Sequence, residues 1–197
     1  MSESRTHTRE LVLPAWLPSR GVRRVAAVLL FAVATAVGAR LAVPVPLSPV
    51  PVTLQTLFVL LAGALLGPRL GAASQLAYLG AGVAGLPVFA AGAGVAYLLG
   101  PTGGYLLAFP VAAFLAGMVT DRVRGPGIGR GLALFGALLL VSFVILLGGA
   151  AWLALATGDP AGALALGVLP FLLGDVLKVA LATLLAHRGR DKALGLL

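Results

Sequence analysis

The sequence has no cysteine among its 197 residues, so disulfide staples and thiolate metal sites are excluded. It is poor in charge as well: 10% of residues are Asp, Glu, Lys or Arg, where soluble domains carry roughly 25%. Only six residues are acidic and two are histidine, and His7 and His187 lie outside or at the edge of the apolar runs. A catalytic triad or a metal centre would find no base or ligand set in such a composition. No G-x-x-x-x-G-K-[ST], G-x-S-x-G or H-E-x-x-H pattern occurs. The chain therefore carries no P-loop of its own, and neither an enzymatic activity nor a cofactor is expected. What it has in abundance is apolar surface: 60% hydrophobic residues, with 27 Gly and 13 Pro. A water-soluble fold of this length could not hide that surface, and disorder is excluded by the same hydrophobicity. An all-α, polytopic membrane protein is expected.

The net charge of +8 could suggest nucleic acid, so the placement of the cations decides. Twelve of them fall into four clusters: Arg5, Arg9, Arg20, Arg23 and Arg24; Arg69; Arg122, Arg124 and Arg130; Arg188, Arg190 and Lys192. Each cluster lies at the end of an apolar run, and no aromatic residues interleave as a single-strand platform would need. No nucleic-acid partner is expected; the pattern is the positive-inside asymmetry of a multi-pass membrane protein.

Apolar runs at 22–43, 52–66, 71–85, 105–119, 132–155 and 163–186 read as six membrane helices. The first is too long for a signal-peptide core of about 7–15 residues and shows no cleavage site. Pro44, Pro46, Pro49 and Pro51 form a hinge after it, because they lack N–H donors and bias the preceding residues away from helix. The second and third runs are shorter than the roughly 20 residues a crossing usually needs, which would suit a re-entrant pair. The charges favour six crossings: the connectors near 44–51, 86–104 and 156–162 contain no Lys or Arg. Both termini then face the cytoplasm, with a basic N-terminal segment at 1–21, the membrane domain at 22–188 and a tail at 189–197. The glycine-rich stretch 125–131 reads as a flexible linker, and Trp16 and Trp152 read as interfacial anchors.

Outside the clusters, Arg40, Lys178 and Asp175 are the ionisable groups within apolar runs. Each costs on the order of 3 kcal/mol at a helix centre, so each needs a partner or a purpose. Asp175 and Lys178 stand three apart and share a helix face. They either neutralise one another for insertion or form the polar floor of a ligand cavity. Arg40, near the outer end of the first run, either snorkels to the headgroups or receives an anionic group. The connector 86–104 is too apolar for a solvated loop and too glycine-rich for a helix. It is expected to form a lid with Phe89 and Tyr97 as walls and with backbone donors around Gly103 and Gly104.

Three segments carry a family resemblance: Val50-Pro51-Val52-Thr53-Leu54-Gln55-Thr56-Leu57, Gly85-Leu86-Pro87-Val88-Phe89, and Leu99-Gly100-Pro101-Thr102-Gly103-Gly104-Tyr105. With Gly174-Asp175-Val176-Leu177-Lys178 near the end, they resemble the biotin-specific S components, BioY, of energy-coupling factor transporters. The resemblance spans residues 22–188; Leu173 departs from it, standing where the family often has proline. It implies a six-helix protein of the bacterial cytoplasmic membrane that binds biotin near its outer side. Two ATPases and a transmembrane coupling protein would energise release. Carried over by position, Asp175 and Lys178 would face the ligand, Thr53 and Gln55 would line the first loop, and 89–105 would close over it, bringing Phe89, Tyr97, Gly103, Gly104 and Tyr105 to the site. The family's small-residue docking motif is echoed at Ala32 and Ala36. A solitary biotin carrier and an S component for another vitamin are the alternatives.

Overall fold

The computed structural model describes residues 18–46, 48–125 and 127–197. Most of the basic segment expected at 1–21, with His7 and Trp16, lies outside the described residues. The described chain is mostly helical. Helix α1 spans Arg20–Arg40, and the hinge that follows is tied by a short antiparallel pair, β1 (Ala42–Val43) with β2 (Val52–Thr53). Helices α2 (Gln55–Leu66) and α3 (Pro68–Val83) follow, then a short α4 (Gly94–Leu98) and the longer α5 (Gly103–Arg122) and α6 (Gly127–Thr157). Helix α7 (Pro160–Gly167), a 3-10 turn at Leu169–Phe171 and α8 (Leu172–Leu196) complete the chain.

Local chemistry explains where these elements depart from the expected runs. Helix α1 stops at Arg40 because Pro44 disfavours helix just before it; Ala42 and Val43, expected as helix, pair with β2 instead. The connector 86–104, expected without helix, contains α4 and a single bridge between Phe89 and Gly92. The stretch 125–131, expected as a linker, supplies the first turn of α6 from Gly127 on. The last run breaks at Pro170, which has no N–H for the carbonyl of Leu166. Ser48 Oγ donates to that carbonyl at 2.8 Å, and Tyr105 OH donates to the neighbouring Gly167 carbonyl at 2.6 Å. The break is thus satisfied from two other parts of the chain. Helix α8 then runs without interruption across the tail expected at 189–197.

Helix α5 is the central element: it packs on α2, α3 and α6, while α8 packs on α2 and α6 and α1 lies against α2 and α3. Leu60, Tyr78, Phe109, Ala112, Ile145 and Val179 fill the interior. Outward, α1, α6 and α8 present large apolar side chains such as Leu30, Leu140 and Leu173, as a surface facing hydrocarbon does. Among the described residues, Arg20–Arg40, Gly103–Arg122, Gly127–Thr157 and the broken rod Pro160–Leu196 are long and apolar enough to cross a membrane. Helix α2, with 12 residues, is only about 18 Å long.

One end of the bundle is locked by a buried arginine. Helices α2 and α3 join at Gly67, whose φ of 83° lies in the left-handed region glycine favours. Pro68 leaves the carbonyl of Ala64 without its helical donor. Arg190 of α8, 4% exposed, donates Nη1 to that carbonyl and Nη2 to Asp121 Oδ1 at the end of α5. One guanidinium thereby ties three helix ends. Arg190→Gln leaves the Ala64 carbonyl and a half-exposed carboxylate unpaired, at a cost of about 2–3 kcal/mol. The apparent Tm in detergent is expected to fall by roughly 5–10 °C; an unaltered Tm refutes the clamp.

Candidate functional site

Helix α8 begins directly after the Pro170 break, so its first turns point Asp175 and Lys178 inward rather than along a continuous rod. Both are buried, 3% and 7% exposed. Lys178 Nζ lies 2.6 Å from Asp175 Oδ1, and the other carboxylate oxygen accepts from Ser142 Oγ of α6 at 2.6 Å. Lys178 Nζ also donates to the Thr53 carbonyl of β2 at 3.3 Å. The pair is anchored to two other elements, which satisfies much of the charge that the apolar interior would otherwise penalise.

From Thr53 the polar contacts continue toward the connector. Thr53 Oγ1 donates to Gln55 Oε1 at 3.0 Å, Gln55 Nε2 donates to Tyr78 OH at 2.6 Å, and Tyr78 OH donates to the Val88 carbonyl at 3.3 Å. Hydrogen bonds therefore run from the charged pair to the base of the segment that covers the site. That segment is held from inside by a fully buried Phe89. Its ring stacks on Tyr97 at 5.2 Å and meets Tyr78 edge-on at 5.6 Å. Gly82 makes this possible, because a Cβ there would fall 2.1 Å from the Phe89 ring. Two further contacts pin the segment's ends: Arg40 Nη2 donates to the Pro87 carbonyl, and Trp152 Nε1 donates to the Gly100 carbonyl at 3.0 Å.

Beneath this cover is a narrow, partly open cavity of about 50 Å3. Asp175, Lys178, Thr53, Gln55 and Thr56 give it a polar floor, and Tyr97, Tyr105, Phe109 and Phe171 give it aromatic walls. Thr56 Oγ1 is buried and has no hydrogen-bond partner among the described residues. Such a site suits a small molecule with a flat or apolar body and a cluster of donors and acceptors at one end. Among the described residues no three His, Asp or Glu side chains gather as a metal site would require.

Of the residues singled out from the sequence, Asp175, Lys178, Thr53, Gln55, Tyr97 and Tyr105 come together around this cavity. Phe89, Arg40, Gly103 and Gly104 do not line it. Phe89 packs behind the wall, and Arg40 latches the cover from outside. Gly103 and Gly104 begin α5, and Gly104 lets Trp152 approach, a Cβ there falling 2.3 Å from the Trp152 Cβ. Trp152 packs on Gly103 and Gly104 and donates to the Gly100 carbonyl. Ala32 is buried in the chain's own core, and the partly buried Ala36 packs against it. Sequence reasoning misses Ser142, Thr56, Phe109 and Phe171 as site residues. A hydroxyl or ring within an apolar run looks there like ordinary packing; only the Pro170 break signals that Phe171 turns inward.

The pattern of the BioY family matches residues 5–194 of this chain. A probable biotin transporter BioY of Pyrococcus horikoshii is 45% identical over 167 residues, covering 84% of this chain and 95% of its own length. The biotin transporter BioY of Thermotoga maritima is 34% identical over 158 residues, covering 74% of this chain and 84% of its own. Among solved structures, the crystal structure of the S-component for biotin from an ECF-type ABC transporter superposes with a TM-score of 0.80 at 27% identity. That alignment covers 89% of this chain and 95% of the other.

Proposed function

The chain belongs to the BioY family, and on that footing we propose that it is the biotin-capturing membrane subunit of an uptake system whose ATPases and coupling protein are separate chains. The observation that carries this reading is the covered cavity lined by an acid, an amine and hydroxyls together with aromatic side chains. Biotin has a matching distribution: a ureido edge with two N–H donors and one carbonyl, an apolar thiophane ring and a carboxylate tail. Asp175 accepts from the ureido N–H groups while Lys178 donates to the adjoining ureido oxygen. Thr56 offers its unpartnered hydroxyl to the same edge, and Tyr97, Tyr105, Phe109 and Phe171 enclose the bicycle. Arg40 acts from outside, holding the Pro87 end of the cover in place.

The placement of charge supports six crossings, with α2 and α3 as short spans and the broken rod α7–α8 as the last. The start of α1 and the end of α8 lie at the same end of the bundle, where Arg24 Nε donates to the Leu197 carbonyl. Arg69, Arg122, Arg130 and Arg188 belong to that end as well, which makes it the cytoplasmic side of a cell membrane by the positive-inside rule. The biotin cavity then opens toward the outside. With no P-loop in this chain, energy for release comes from the separate ATPases.

The experiment is a titration of the purified protein by calorimetry with biotin, riboflavin and thiamine. Saturable binding of biotin alone is the expected result, and preferential binding of either other vitamin refutes the reading. Biotin uptake by cells carrying this chain with and without a coupling module then separates a partnered subunit from a solitary carrier.

A further inference from the structure

A second groove lies away from the biotin cavity, on the outer face where α6 and α8 diverge toward the basic end of the bundle. It holds about 540 Å3 and is open to the surroundings. Its deeper part is apolar, lined by Leu132 and Phe135 of α6 and Ala180 of α8. Toward the basic end the lining changes to Thr183, then to His187 and Arg188, and no carboxylate among the described residues lines the groove. Thr183 is 7% exposed, yet its Oγ1 has no hydrogen-bond partner among the described residues. The buried Nδ1 of His187, one turn further on the same face, also lacks one among them. Buried hydroxyl and imidazole groups are rarely left without partners, so both call for one from outside the chain. Gly127 and Ile128 at the rim belong to the first turn of α6, where free backbone N–H groups favour an anion.

We propose that this groove holds one anionic glycerophospholipid. The proposal goes beyond biotin capture and rests only on the membrane orientation argued above. The polarity of the groove matches that of a lipid from top to bottom. The phosphate meets Arg188, His187 Nδ1 and the start of α6. About 5.4 Å deeper, one helical turn, Thr183 Oγ1 donates to an ester carbonyl. An acyl chain lies below, along Phe135, Leu132 and Ala180. A free phosphate would leave Thr183 and the apolar floor unfilled, and an apolar helix would bury His187 and Arg188 without a counter-charge. Anionic lipid is also what the cytoplasmic leaflet offers in excess.

The test compares phosphatidylglycerol and phosphatidylcholine of identical chains on the purified full chain, by native mass spectrometry and thermal shift. Inorganic phosphate forms a third arm. Phosphatidylglycerol is expected to be retained about five-fold more tightly than phosphatidylcholine. Arg188→Gln abolishes that preference, whereas Thr183→Val weakens both lipids and keeps it. Biotin affinity stays unchanged in Arg188→Gln, so the result stands apart from the fate of the biotin reading. Equal retention of the two lipids overturns the proposal. So does a preference that survives Arg188→Gln, equal stabilisation by inorganic phosphate, or a dimer that excludes lipid from the groove.

Discussion

Replacing Asp175 by asparagine is expected to weaken biotin binding by roughly 10- to 100-fold while the protein remains folded. The carboxylate is buried and has two partners, Lys178 Nζ at 2.6 Å and Ser142 Oγ at 2.6 Å. Asparagine fills the same volume and can still accept from Ser142. It removes the negative charge, however, and presents an N–H where Lys178 and a ureido N–H both need an acceptor. Losing a charge-assisted hydrogen bond costs about 1.5–3 kcal/mol, which sets the size of the effect. Lys178→Ala is expected to weaken binding by about 10-fold or more, because the ureido oxygen loses its donor and Asp175 keeps only Ser142. Calorimetric titration of both variants against the parent measures this. Unchanged affinity in both would reduce the pair to two charges that merely cancel their own insertion cost.

Phe89→Ala is expected to speed biotin release by about 100-fold or more with little change in the rate of entry. The ring has no exposed surface and sits between Tyr97 and Tyr78 against Gly82. Truncating a buried phenylalanine costs about 3–5 kcal/mol, and here that loss falls on the closed cover rather than on the helix bundle. A cover that closes poorly shortens residence, so the change appears in the off-rate. Phe89→Leu, which keeps apolar volume without the stacking geometry, should lie between. Release of labelled biotin under excess unlabelled ligand reads both variants. A Phe89→Ala protein that holds biotin as long as the parent would show that the connector does not control exit.

Much of this arrangement is legible in the amino-acid sequence. The apolar runs place α1, α2, α3, α5 and α6 to within a few residues, because lipid demands long uninterrupted helices and the charges mark their ends. The hinge at 44–51 follows from proline chemistry, and the cost of buried charge marks Asp175 and Lys178 as a pair that needs a partner or a purpose. Three things are hidden for physical reasons. The break at Pro170 looks like a kink in one long run, since Ser48 and Tyr105, which satisfy the freed carbonyls, are 118 and 62 residues from Leu166 and Gly167. Arg190 looks like one more cation of a basic tail. Its burial depends on Pro68 stripping a donor from Ala64, a coincidence of two distant elements. Ala32 and Ala36 show small residues at helical spacing, and spacing alone does not say whether such a face meets a partner or the chain's own core. Phe89 is a fourth, milder case: an aromatic in the cover is expected as a wall, but Gly82 admits the ring one layer deeper.

A structure of the protein with biotin bound is the most direct measurement of all. The ureido ring should lie within roughly 3 Å of the Asp175 carboxylate and the Lys178 ammonium, with the bicycle between Tyr97 and Phe171 and the cover closed above it. Biotin seated elsewhere, with Asp175 and Lys178 still paired beside an empty cavity, would contradict that assignment.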